Sequence, residues 1–204
     1  MQIETIFAFL SASALLTVMP GPDVIYVLMQ SITNGKKYGI ATALGLVSGI
    51  IIHTSLIAFG VSEILKRNEN VFFIIKLFGA LYLFYLAYQV YKSSTKIDLS
   101  VDAPKKSIFS LIKQGFIMNV LNPKVTIFFL AFFPAFIDNS LGNIKIQIFS
   151  LSFLFILQAF FIFSVISVLA DKMSSLLRNN KSFEKKIQII QIVVFIGIGI
   201  LILV

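Results

Sequence analysis

Two ionisable residues in this chain stand where apolar sequence should exclude them. Asp23 follows Met19-Pro20-Gly21-Pro22 inside a largely apolar run from about Thr5 to Thr33, and Lys124 follows Asn119-Val120-Leu121-Asn122-Pro123 well inside another. A carboxylate or an ammonium in hydrocarbon is expensive unless it pairs, reaches water or faces protein. Prolines adjoin both. Pro20 and Pro22 have no N–H to give the carbonyls of Leu16 and Val18, and Pro123 leaves that of Asn119 in the same state, so neither helix can continue. Irregular backbone survives at membrane depth only where protein or a water-filled cavity surrounds it. Broken helices carrying charges therefore mark a candidate binding site, shaped by Pro20, Gly21, Pro22 and Pro123. The chemistry on offer suits a molecule bearing both charges. Its ammonium would meet Asp23 with the amide oxygens of Asn119 and Asn122, and its carboxylate would meet Lys124 and free N–H groups at a half-helix N-terminus. The plainer reading has Lys124 snorkelling to the interface and Asp23 as the N-cap of the helix resumed after Pro22.

The elements that must position these groups follow from hydropathy and loop charge. The 204 residues are 58% hydrophobic and only 13% charged, a membrane composition. Runs 38–62 and 146–170 contain no Asp, Glu, Lys or Arg, and each exceeds the roughly 20 residues that cross a bilayer. Six spans are expected near 5–33, 39–64, 71–92, 111–137, 146–170 and 187–204. The N-terminus lacks a cleavage signal, so the first span is expected to stay. Twelve of the 17 basic residues fall in the connections after spans one, three and five, against three (Lys66, Arg67 and Lys145) on the other side. The positive-inside rule then makes those connections cytoplasmic and puts both termini outside. Read this way, the net charge of +8 is loop charge, and no nucleic-acid partner is expected.

A polar, lysine-rich stretch, with its core at 96–110, reads as a solvated linker within a single membrane domain and divides it into three-helix units 1–95 and 111–204. Val18 to Pro22 and Val120 to Pro123 form a faint repeat half a chain apart. With an odd number of spans in each unit, the second enters the membrane with opposite polarity. The expected fold is thus an all-α membrane protein of six transmembrane helices, arranged as two inverted three-helix repeats with helices one and four broken.

Other polar residues have weaker claims. Ala41, Gly45, Gly49 and His53 recur every four residues, a small-residue stripe suited to internal packing or to a homodimer. His53 is read as a packed residue with a proton-relay role as the sharper alternative, which makes Asp23 and His53 the proton-coupling candidates. Tyr82, Tyr85, Tyr88, Gln158 and Gln191 line a cavity or bond between helices. Absence of cysteine and a single histidine leave no disulfide, iron–sulfur cluster or metal centre to expect. No zinc-helix, nucleophile-elbow or phosphate-loop motif is present, so neither a cofactor nor an enzyme is expected.

Pro20-Gly21-Pro22-Asp23 followed by Val24-Ile25-Tyr26-Val27-Leu28, then Gly35-Lys36-Lys37-Tyr38-Gly39, and later Gly115-Phe116, Asn119, Leu121-Asn122-Pro123-Lys124 and Phe133-Pro134, resemble the LysE/RhtB family of amino-acid exporters. The resemblance extends over the whole chain. It implies a multi-pass carrier of the bacterial cytoplasmic (inner) membrane that exports amino acids or close derivatives by exchange with protons. The family pattern has Asp or Asn at position 23, and many members have Gly where this chain has Met19. Two other readings are an exporter of inorganic or organic cations and a non-transporting membrane subunit or intramembrane enzyme.

Overall fold

The computed structural model describes residues 2–19, 21–61, 69–92, 103–138 and 142–172, together with 189, 192–193, 195–200 and 203. Every regular element among them is helical. Helix α1 (Ile3–Val18) and helix α2 (Pro22–Asn34) meet at 59°. Pro20 itself lies outside the described residues. Gly21 is the extended N-cap of α2, and Pro22 opens the helix at the first position, where its missing N–H costs nothing. Gly35, at φ 96°, is the single residue between α2 and helix α3 (Lys36–Leu56). That backbone angle suits a residue without Cβ. Helix α3 runs on through a π-helical turn at Ile57–Val61, and helix α4 spans Glu69–Lys92.

Helix α5 (Ile108–Val120) starts ahead of the expected boundary at 111, because Ser107 caps it by accepting the Ser110 N–H at 3.2 Å. Asn122 then caps helix α6 (Pro123–Ile127), which continues through a π-helical turn at Phe128–Phe132 and a 3₁₀ turn at Phe133–Phe136. This continuation is bent by 49° from α5. Helix α7 covers Ile144–Lys172. Among the described residues two stretches, Lys36–Gly60 and Ile144–Asp171, are long and apolar enough to cross a membrane, or up to four if each bent pair is one span. Expected span three coincides with α4. Span six is described only in part, and Gln191, Lys66, Arg67 and most of the basic residues after span five lie outside the described residues.

The linker is exposed at Pro104, Lys105 and Ser107 but not at Ala103. Ala103 is buried, and its carbonyl accepts the Asn34 side-chain N–H at 3.1 Å. From there a chain of hydrogen bonds climbs α2. Asn34 donates to Gln30 at 3.0 Å, Gln30 to the Tyr26 hydroxyl at 3.1 Å, and that hydroxyl to Gln114 at 2.8 Å. Gln114 also accepts from Lys106 at 2.6 Å. The linker end is tied to both α2 and α5.

The small-residue stripe is consumed inside the chain, which removes it as a dimer surface. Helix α3 packs most extensively against α5. A Cβ on Gly45 would overlap the Ile112 backbone, and one on Gly115 would overlap the Thr42 carbonyl. The tyrosines are a second correction. Tyr85 and Tyr88 are exposed on α4, the Tyr82 ring lies tilted with its centroid 6.0 Å from that of Tyr85, and Tyr85 accepts from Gln89 in its own helix. Gln158 does bond between helices, accepting from Ser13 at 2.7 Å and donating to the Leu10 carbonyl at 3.0 Å.

The glycine contact makes a direct prediction. Gly45→Val should lower stability by about 1–3 kcal/mol through overpacking, read as a drop in the melting temperature of the purified protein. Gly197→Ala, whose added methyl meets nothing within 4 Å, should stay within about 0.5 kcal/mol of the parent.

Candidate functional site

The break between α1 and α2 is filled from the other side of the linker. Lys124, the second residue of α6, sends its Nζ to the carbonyls of Leu16 and Met19, both at 3.2 Å. The same Nζ lies 3.3 Å from Asp23 Oδ1 and 3.2 Å from Oδ2. Both side chains are only 5% exposed. The carbonyl of Leu16 would have taken an N–H from residue 20, and proline has none. An ammonium thus replaces the missing helical donor at the negative end of α1. The snorkelling reading of Lys124 is therefore corrected, and so is the capping reading of Asp23. Gly21 is the N-cap, and Asp23 sits second in α2 without a side-chain cap bond.

The second break is braced in the opposite direction. The Asn119 carbonyl, freed by Pro123, lies 3.1 Å from His53 Nε2, and the Asn122 N–H also reaches it at 3.0 Å. His53 is buried and stacks on Phe129 with ring centroids 5.5 Å apart. Thr54 and Ser55 bond back to their own helix at 2.8 Å each, as expected of hydroxyls there. Asn119 and Asn122 do not share one continuous helical face, because α5 ends at Val120.

Most of the residues singled out in the sequence converge here. Asp23, Lys124 and Asn119 line one cavity of about 10 Å³, with Leu16, Thr17 and Phe155 among its other walls, and a space that size holds about one water. Asn119 Oδ1 is buried with no hydrogen-bond partner. Asn122 spends its oxygen on the Lys124 backbone N–H at 3.0 Å and leaves Nδ2 unpaired. Such orphaned polar atoms are uncommon in folded proteins and call for a reason. Pro22 and Pro123 shape the breaks from exposed positions. The sequence reading missed the part played by the Leu16 and Met19 carbonyls, and missed the polar ladder of Tyr26, Gln30 and Asn34. The ladder's four-residue spacing on one helix was available as a signal.

Aromatic rings close the site toward the α1 N-terminus. Phe9 packs edge-on against Phe133 and Phe136 with centroids 5.0 and 5.3 Å apart, and Phe129 stacks on Phe133 at 5.0 Å. All of these except Phe136 are buried. Phe9 and Phe129 also meet Phe155, which lines the cavity with Asp23 and Lys124, and charges as buried as these interact in a medium of low dielectric constant.

The LysE type translocator family profile matches residues 14–204 of this chain. The homoserine/homoserine lactone efflux protein of Salmonella typhimurium is 36% identical over 137 residues, covering 67% of this chain and 66% of its own length. The corresponding protein of Salmonella typhi matches to the same extent. The uncharacterised membrane protein YrhP of Bacillus subtilis is 28% identical over 97% of this chain and 98% of its own. No solved structure matches.

Because a buried ion pair is destabilising when one partner is lost, the Asp23–Lys124 contact predicts a specific mutant cycle. Asp23→Asn and Lys124→Met should each cost about 3–5 kcal/mol by stranding the remaining charge. The double substitution should lose less than either single one. Denaturation of the purified variants measures all three, and strictly additive losses would refute the pairing.

Proposed function

The chain belongs to the LysE type translocator family, and from that premise we propose that it is a secondary active exporter of amino acids or close derivatives in the bacterial cytoplasmic membrane. The observation that carries this reading is the buried Asp23–Lys124 pair, which joins one broken helix to the other beside the unpaired oxygen of Asn119. Two bent helix pairs, one on each side of the linker, support two inverted three-helix repeats within one membrane domain. The two repeats rock about the site, with the linker cytoplasmic and both termini outside. Pro20, Gly21, Pro22, Asp23, Asn119, Asn122, Pro123 and Lys124 form the substrate site.

Within that site the geometry sorts donors from acceptors. Asp23 and Asn119 Oδ1 accept, and so serve the substrate ammonium. Lys124 and the free Nδ2 of Asn122 donate, and so serve a carboxylate. The amide oxygen of Asn122 is already engaged, which removes it from the ammonium side. The Salmonella relatives are named for both homoserine and its lactone. Those two molecules share the ammonium and differ at the carboxyl, which favours the ammonium as the group recognised in common.

Exchange with protons needs a group to bring the proton back. Asp23 and His53 are the candidates. With Lys124 already paired to Asp23, His53 takes precedence, since it is buried on the carbonyl at the second break. The cation-exporter alternative asks for more ligands, and among the described residues no three of His, Cys, Asp and Glu come together.

Proteoliposomes loaded with homoserine test this reading. An inward proton gradient should accelerate efflux, and properly inserted Asp23→Asn and Lys124→Ala should each lower it more than about tenfold, the factor that 1.4 kcal/mol represents. His53→Gln should keep downhill flux and lose the acceleration. Parental rates in both charge variants would rule out the site.

A further inference from the structure

We infer that the Asp23 carboxylate and the carbonyl oxygens of Leu16 and Met19 form a cage for a primary ammonium, that Lys124 is its tethered occupant, and that a substrate amine binds by displacing Lys124. The identity of the natural amine rests on the exporter reading above; the cage does not.

A primary ammonium has three N–H donors and accepts nothing. The Nζ of Lys124 finds three acceptor groups within 3.3 Å: the carbonyls of Leu16 and Met19 and the carboxylate of Asp23. All three donors are used. The Leu16 acceptor is fixed by covalent chemistry, because residue 20 is proline and cannot supply an N–H whatever its conformation. Gly21 keeps the cage open to its occupant. A Cβ there would stand 2.7 Å from Asp23 Oδ1 and 3.2 Å from Lys124 Nζ, so any side chain would push the carboxylate and the ammonium away from the break.

The fit is also loose. Contacts of 3.2–3.3 Å exceed the roughly 2.7–2.9 Å of tight charge-assisted bonds. Lysine is a point charge on a flexible four-carbon stem, able to withdraw without disturbing the backbone. Occupancy decides the order of events. The three acceptor groups are already engaged by Lys124 Nζ, so an amino acid finds none of them free beside it. Its ammonium has to replace that of Lys124, and the released lysine is then close to the carboxyl end of the incoming molecule. A quaternary ammonium has no N–H to give the cage and should fail to enter.

Removing the resident tests the cage directly. In Lys124→Ala the atoms missing beyond Cβ are those of n-propylammonium. Added n-propylammonium chloride should raise the melting temperature of the purified variant by a few degrees relative to equal concentrations of sodium or tetramethylammonium chloride. The parent, with its cage filled, should not respond. Asp23→Asn/Lys124→Ala should not respond either. Lys124→Met keeps the packing of the stem and gives a second route, with ammonium chloride as the probe. The cage is disproved if neither single variant distinguishes the primary ammonium from its controls, or if the parent or the double variant responds equally. Vesicles that export no amine, alongside variants that respond to the probes, would overturn the exporter reading and leave the cage standing.

Discussion

Inside an apolar slab, a carbonyl that loses its helical N–H has no water to turn to, and prolines at 20 and 123 each create one. The carbonyl of Leu16 is met by Lys124 from beyond the linker, and that of Asn119 by His53 from before it. Each defect is thus repaired by a side chain from the opposite portion of the chain. The two repairs are unequal in kind. One brings an ammonium held against the Asp23 carboxylate, whereas the other is an imidazole ring set against a carbonyl and a phenylalanine face.

The surroundings set how strongly these contacts are felt. Phe9, Phe129 and Phe133 pack edge and face against one another, and Gly45 and Gly115 let α3 and α5 approach to backbone contact. Exclusion of water strengthens the attraction between Asp23 and Lys124 while raising the penalty for burying them, and a well-packed apolar pair would hold the helices at least as firmly. Stability alone therefore does not account for a charged pair at this junction, nor for the atoms of Asn119 and Asn122 buried beside it without partners.

What was legible in the sequence was whatever a single residue dictates by itself. Proline breaks a helix regardless of neighbours, so both breaks and the freed carbonyls of Leu16 and Asn119 could be located in advance, and the two charges beside them marked the same place. Donor and acceptor assignments were not legible, because they depend on approach angles across the bundle. Asn122 looked like an oxygen for substrate until its oxygen proved to cap α6. The aromatic wall was hidden for another reason: with 22 phenylalanines in the chain, composition gives no way to tell a wall from lipid-facing surface. The linker end misled because lysines and a proline around Ala103 signal solvent, while the hydrogen bonds that bury it come from Thr33 and Asn34, distant in sequence.

The corner at Gly35 has a mechanical meaning. With one residue joining α2 to α3 and Ser167 of α7 clasping both Ser31 and the Lys36 carbonyl, at 2.8 and 2.9 Å, the two helices form a stiff elbow. Asp23 sits near the far tip of one arm and His53 near the far tip of the other. One clasped corner thus spans both breaks, with the carboxylate at the end of one arm and the imidazole at the end of the other.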